Sequence, residues 1–321
     1  MEMQPDVVCM GILVADFFPD LLDRMPDPGE LSLIKSIALS TGGCAANTAI
    51  ALAKLGVNTG VVGRVGDDTF GGFIKRDLEK QGVDTAAIAA TTDWETSKTI
   101  IIAVKGEDRR YLHLLGANAG FGAQHVDIDY LNQSKVLYVG GFLGIPGFSF
   151  KDMVDLLRSV HQRGIKTVLD VIVPEKGAYK RGFQELLPYV DVFLPNSDEA
   201  EIITGSHEAK DQAKIFADMG AQTVVITLGG NGSLMRTKDT AFQAGTFAVP
   251  FVDGSGAGDA FDAGFIYSML SGDPLPVSLR KASAMGASCV RALGCADGLF
   301  SRPELEDYCR GHDLDIAEQN N

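Results

Sequence analysis

Positive charge is what this sequence has least of. Its 28 Lys+Arg stand against 42 Asp+Glu in 321 residues, a formal net charge of −14. So acidic a chain repels a phosphate backbone, and unspecific nucleic-acid binding, which needs a Lys/Arg surface, is not expected. Long apolar runs are missing too. None approaches the ~20 residues of a membrane span, so no membrane partner is expected. Cysteine is scarce and unpatterned: Cys9, Cys44, Cys289, Cys295 and Cys309 make no CxxC pair and no Cys/His cluster at zinc spacing. That excludes a zinc module and points to free thiols. The opening MEMQPDVV is acidic and runs straight into a strand-like stretch without a secretory pattern, so a cytoplasmic location is expected. No internal repeat and no Ser/Gly- or Pro-rich linker divides the chain.

Short Val/Ile/Leu-rich runs alternate with helix-like stretches. VVCMGILV (7–14), TGVVGRVG (59–66), KVLYVGG (135–141), KTVLDVIV (166–173), VDVFLP (190–195) and TVVITLG (223–229) are predicted strands. Helices are predicted from Ala45 to Leu55, over 71–83, and in SFKDMVDLLRSVHQRG, SDEAEIITG and AKDQAKIFADMG. This alternation implies an α/β fold with a mostly parallel sheet covered on both faces. Two stretches break the rhythm. LSLIKSIALS (31–40) lacks helical periodicity, and KTIIIAV–GED–RRYLHLL (98–115) is a predicted hairpin. Both imply a small β-layer off the main sheet. The tail past Arg310, GHDLDIAEQNN, is polar and expected to fray.

Glycine is plentiful, 37 residues in 321 against a usual ~7%, and one cluster carries chemistry. VDGSGAGDAFDAGFIYSML (252–270) places Gly254, Gly256 and Gly258 ahead of a helix. Glycine lets the backbone approach a ligand, and N–H groups at a helix N-terminus converge on an anion. A phosphate over Gly256, Ala257 and Gly258 follows, with Asp259 beside it. A carboxylate there repels phosphate, so its task is to take a proton from an attacking hydroxyl. The bland alternative is a tight turn with Asp259 as a cap. There is no GxxxxGK[ST], no GxGxxG after the first strand and no GxSxG, which argues against a P-loop, a nicotinamide oxidoreductase and a nucleophile elbow.

Residues 253–264, DGSGAGDAFDAG, resemble the D-T-x-G-A-G-D-x-F-x-A-G signature of the ribokinase-like PfkB family of sugar kinases. TGGCAANTAIALAKLG (41–56) resembles the family's first signature, PNSDEAEIITG (195–205) its N-x-x-E segment and TLGGNG (227–232) its nucleotide segment. GRVGDDTFG (63–71) and LGANA (115–119) also resemble family elements, and all occur in family order. The resemblance implies a ribokinase-like three-layer core, 1–15, 41–92 and 122–321, with a β lid from 16–40 and 93–121. It implies transfer of the γ-phosphoryl of ATP to a sugar hydroxyl, with Asp259 as base and the amides of Gly256, Ala257 and Gly258 as anion hole.

The same resemblance implies further roles. Asn196 and Glu199, one helical turn apart, organise Mg²⁺, Glu199 through water, and the phosphates. Thr227, Gly229 and Gly232 leave room for adenine and ribose, and Ser283 falls where many relatives carry Asn. Asp16, Gly42, Gly43 and Asn47 resemble the sugar site, and Arg110, Tyr111 or His113 on the hairpin is a candidate to cover it. Asp253 and the loop 294–298 resemble the monovalent-cation site of some relatives, although Gly254 stands where Thr is usual, so K⁺ is a candidate cofactor. Cys44 replaces the Lys of the ribokinase pattern, and Gly140-Gly141-Phe142 replaces its ribose-holding Glu. Fructose, a keto-deoxy sugar acid held by Arg110, or a nucleoside seated on Phe17 or Phe142 therefore compete with ribose as acceptor. A non-catalytic sugar- or nucleotide-binding relative is the alternative outside enzymology. A homodimer through the lid is a further expectation.

Overall fold

The computed structural model describes residues 4–107, 109–174 and 177–319. The opening MEM, Asp108 of the GED turn and the last two asparagines lie outside them. In chain order the strands are β1 Val7–Gly11, β2 Val14–Pro19, β3 Ile37–Gly42, β4 Thr59–Gly66, β5 Ile88–Thr91, β6 Lys98–Ile102, β7 Arg110–Leu114, β8 Val136–Gly140, β9 Lys166–Leu169, β10 Val192–Phe193, β11 Thr223–Thr227, β12 Ser233–Thr237, β13 Ala241–Ala244 and β14 Ile316–Gln319.

Ten of them form one sheet, in the order β14-β13-β12-β11-β10-β9-β8-β1-β4-β5. The pairs from β11 round to β5 are parallel, and β12, β13 and β14 add an antiparallel edge. Side chains alternate across this sheet. Val7 and Cys9 of β1 pack with the helices Cys44–Lys54, Ala257–Leu270 and Leu275–Cys289, and Val8 and Met10 pack with Phe150–His161, Lys180–Leu186 and Ala209–Asp218. The central strands are buried on both sides, which is why they read as unbroken apolar runs.

The other four strands form a separate sheet, β3-β2-β6-β7. The register sets Ser40, Asp16, Thr99 and His113 in one row, and Leu39, Phe17, Ile100 and Leu112 in the next, on opposite faces. Two expectations fail here. The run 7–14 is not one strand: it breaks at Ile12–Leu13, and the chain passes from the large sheet into the small one. The tail does not fray either, because Ile316–Gln319 pairs antiparallel with β13 and closes the sheet edge.

Candidate active site

The parallel strands end their carboxyl edges on one side, where ligands of open α/β sheets bind. The loop 253–256 follows, and Gly256, at φ 72, opens the helix Ala257–Leu270. A side chain on Gly256 would put its Cβ 2.7 Å from that of Cys295, so both conformation and space demand glycine. The Ala257 amide donates to the Gly254 carbonyl at 3.3 Å, and the helix N-terminus it opens favours an anion, with Asp259 in the same turn.

Asp259 is half-buried and holds one carboxylate oxygen 2.8 Å from the donating Nδ2 of Asn47. The hydroxyl of Thr48 donates to its carbonyl, at 3.3 Å. Burial pushes the Asp259 carboxyl up, while the donors Asn47 and Cys44 hold it down. Asn47 Oδ1 is buried and has no hydrogen-bond partner, so the side chain that orients Asp259 also offers an acceptor aimed at nothing yet.

Asp16 lies in the middle of β2. Its side chain is buried, and its carboxyl is raised to about 6, first by burial and further by the Asp259 charge, against a hydrogen bond from Thr99. Thr99 Oγ1 lies 3.0 Å from His113 Nδ1. Gly42 faces Asp16 so closely that a Cβ there would stand 1.8 Å from Oδ2. Gly43 caps the helix Cys44–Lys54 at φ 93.

Asn196 and Glu199 form a reciprocal cap: Asn196 Oδ1 accepts from the amides of Asp198 and Glu199, and Glu199 Oε2 accepts from the amide of Asn196 at 3.0 Å. This capping box fixes both side chains just past the carboxyl end of β10. Burial raises the Glu199 carboxyl to about 7, with the charges of Asp198 and Asp259 adding to it. Thr227, Gly229, Gly232 and Ser283 line a cavity of about 400 Å³ that runs to Gly254, Ala257 and Gly258. The segment called for a nucleotide and the loop called for a phosphate thus border the same space.

Arg110 is not brought here. It begins β7 in the row of Ile102, on the face opposite Asp16 and Thr99, and pairs with Glu107 at the surface. The proposed nucleoside seats also fail: Phe142 is buried against Phe150, and Phe17 packs edge-on against Phe70 on the far face of the small sheet. Asp253 is already engaged. Its Oδ1 accepts from Arg109 and from the amide of Ser255, and its Oδ2 from the amide of Gly294.

Two acids in the site escaped the sequence reading. Asp170 follows β9 and brings a carboxylate oxygen within 4.8 Å of Cys44 Sγ and an Asp259 oxygen. Asp262 lies one helical turn past Asp259 and accepts from the Tyr138 hydroxyl at 3.0 Å. Burial pushes both carboxyls well up, and neighbouring acids push them further. The i,i+3 spacing of Asp259 and Asp262 was the one available signal for the latter.

A family model for pfkB family carbohydrate kinases matches residues 4–301. Ribokinase of Haemophilus influenzae is 28% identical over 88% of this chain and 91% of its own. The 5-dehydro-2-deoxygluconokinase of Clostridium perfringens is 28% identical over 94% of each. The structure of Arabidopsis thaliana ribokinase complexed with ribose and ATP superposes with a TM-score of 0.82 at 24% identity, over 96% of this chain and 99% of that one.

Proposed function

The chain belongs to the pfkB family of carbohydrate kinases, and from that premise we propose that it transfers the γ-phosphoryl of ATP to a hydroxyl of a small neutral sugar, with Asp259 as the base. The observation that carries this reading is the junction at residues 254–258. The nucleotide cavity ends on the glycine loop, and Asp259, oriented by Asn47, stands one residue further on.

Asp259 takes the proton of the acceptor hydroxyl as its oxygen attacks phosphorus. The amides of Gly256, Ala257 and Gly258 bind the oxygens of the transferring group. Alignment and charge stabilisation do most of the work in such a transfer. Asp16, Asn47 Oδ1 and backbone near Gly42 and Gly43 hold the other sugar hydroxyls. A neutral acceptor fits best: acids crowd the site, while Arg110, the cation called for a sugar acid, lies on the opposite face.

The donor set suits Mg²⁺, a hard cation that takes few protein oxygens and keeps its waters. Glu199 would hold it through water. Glu199, Asp170 and Asp262 are all acids whose ionisation their neighbours oppose, and a dication reverses that. When bound, it neutralises charge on the phosphates.

The small sheet, with residues 16–40 and 93–121, acts as a lid that excludes water. Its outer face exposes Leu39, Ile100, Leu112 and Leu114, an apolar patch suited to a homodimer through the lid. The test of the whole reading is ADP release with Mg²⁺-ATP across a panel of neutral sugars, sugar acids and nucleosides, with wild type and Asp259→Asn. The variant is expected to bind ATP like wild type and lose about 10²–10⁴ in kcat. Turnover at the wild-type rate removes Asp259 as base, and turnover of a sugar acid alone removes the neutral acceptor.

A further inference from the structure

We propose that the guanidinium of Arg109 is a built-in cation at Asp253, in the place a monovalent metal ion would take, so that this enzyme works without K⁺. Arg109 precedes β7 of the small sheet, whereas Asp253 opens the glycine loop of the large domain, 144 residues away in sequence. Arg109 Nη1 donates to Asp253 Oδ1 and to Ser255 Oγ, the latter at 2.5 Å. The Asp253 side chain is 2% exposed, so this is a charge taken out of water and neutralised by one partner.

An alkali ion is held by oxygens that replace its hydration shell. The oxygens here already have donors. Besides Arg109, the amides of Ser255 and Gly294 each reach Asp253 at 3.0 Å. The Ser255 carbonyl accepts from the Cys289 thiol at 3.3 Å. A metal ion arriving at Asp253 would also meet a fixed like charge. The residues present therefore do not fit K⁺; they fit an arginine. Gly254 adjoins the guanidinium: a Cβ at this position would lie 3.5 Å from Arg109 Nη2, in ordinary van der Waals contact.

Two consequences follow for the reaction. Arg109 holds Asp253 and Ser255, and through them the backbone that presents the amides of 256–258, so it is a positioning residue. It also rides on the small sheet, so the cation reaches the loop only while the sheet is seated over the large domain.

The experiment compares wild type, Arg109→Ala and Arg109→Lys in KCl and in choline chloride at equal ionic strength. Wild-type kcat is expected to be the same in both salts within about twofold. Arg109→Ala should lose about 10–10²-fold in choline chloride, short of the 10²–10³ that follows loss of an oxyanion donor. K⁺ should return most of that loss, and Arg109→Lys should need it less. Thermal unfolding in the two salts needs no acceptor, so it tests the cation independently of the phosphoryl-transfer reading on which the kinetic arm rests. There K⁺ should raise the Tm of Arg109→Ala by a few degrees and leave wild type unmoved. Strong K⁺ activation or stabilisation of wild type overturns the proposal. So does an Arg109→Ala enzyme that is unimpaired in choline chloride, or one that is folded, inactive and indifferent to K⁺.

Discussion

Gly42→Ala isolates the acceptor site with a single methyl group. The φ of Gly42 lies outside the left-handed range, so alanine fits the backbone. The new Cβ would lie 1.8 Å from Asp16 Oδ2 and 2.7 Å from its Cγ. No rotation of the methyl relieves that contact; the carboxylate has to swing away, breaking its bond with Thr99 and its aim at the sugar. Hydrogen bonds to a charged group are worth about 1.5–3 kcal/mol each. Loss of a two-bond grip therefore costs about 3–6 kcal/mol, or roughly 10²–10⁴ in kcat/KM for the acceptor. Overpacking adds about 1–3 kcal/mol of lost stability, which a protein of this size tolerates. The nucleotide cavity is lined elsewhere, so ATP affinity should stay within about twofold of wild type. Steady-state kinetics on the sugar that the panel identifies, with calorimetric titration of ATP, measure both. Asp16→Asn should cost as much, and the double variant little more, because both remove one interaction. A Gly42→Ala enzyme with wild-type KM and kcat for its sugar would show that Asp16 does not hold it. Gly43→Ala is the contrasting control: at φ 93, with a Cβ 2.4 Å from the Ile12 carbonyl, it should fail to fold.

The pH profile follows from the raised acids. Asp16 at about 6 and Glu199 at about 7 must be ionised to act, so kcat/KM should climb between about pH 5 and 8 and level off above; a flat profile there would contradict both roles. Stability should run the other way, because an acid raised in the folded state binds its proton more tightly there. Its contribution is full below about pH 4 and is lost as pH rises through the folded value. For Asp16, going from 3.8 to about 6, that is at most about 3 kcal/mol. Asp16→Asn should therefore unfold at higher temperature than wild type at pH 8, read by calorimetry, and lose the advantage near pH 4. Glu199→Gln keeps a capping side chain and should fold normally, yet need about tenfold more Mg²⁺ for half-maximal rate; an unchanged Mg²⁺ curve would remove Glu199 from the metal's shell.

The loops carrying glycine and helix caps were legible because their constraints are local. A φ of 72 at Gly256 and the reciprocal cap of Asn196 and Glu199 each lie within a few residues. What depends on pairing partners was not. In VVCMGILV nothing apolar marks the crossing at Ile12–Leu13, because both halves are equally buried. β14 is polar and joins an edge strand through main-chain hydrogen bonds, which leave no hydrophobic pattern to read. Arg109 and Arg110 are adjacent and alike in type. Only the register of β7 with β6 decides that Arg110 faces away, while the residue before it reaches Asp253. Asp170 interrupts the apolar run KTVLDVIV, and only the fold brings it beside Asp259.

The crowding of acids explains why one of them serves as the proposed base. Like charges this close cannot all ionise, and the environment decides which does. The Asp259 charge helps to raise Asp16, Glu199, Asp170 and Asp262, whereas burial alone raises Asp259 and two donors oppose it. It also stands in the first turn of a helix, where partial positive charge favours the anion. Asp259 is therefore the acid whose ionised form its surroundings oppose least, whereas Asp170 and Asp262 are the neighbours pushed furthest toward the protonated form. Cys44 belongs to this arrangement. Where the ribokinase pattern has a lysine, this chain supplies a neutral donor to Asp259. A lysine ammonium there would place a positive charge beside both Asp259 and Asp170 and favour ionisation of each. The thiol donates to the proposed base without adding charge, and neutralisation of the remaining acids falls to the proposed Mg²⁺.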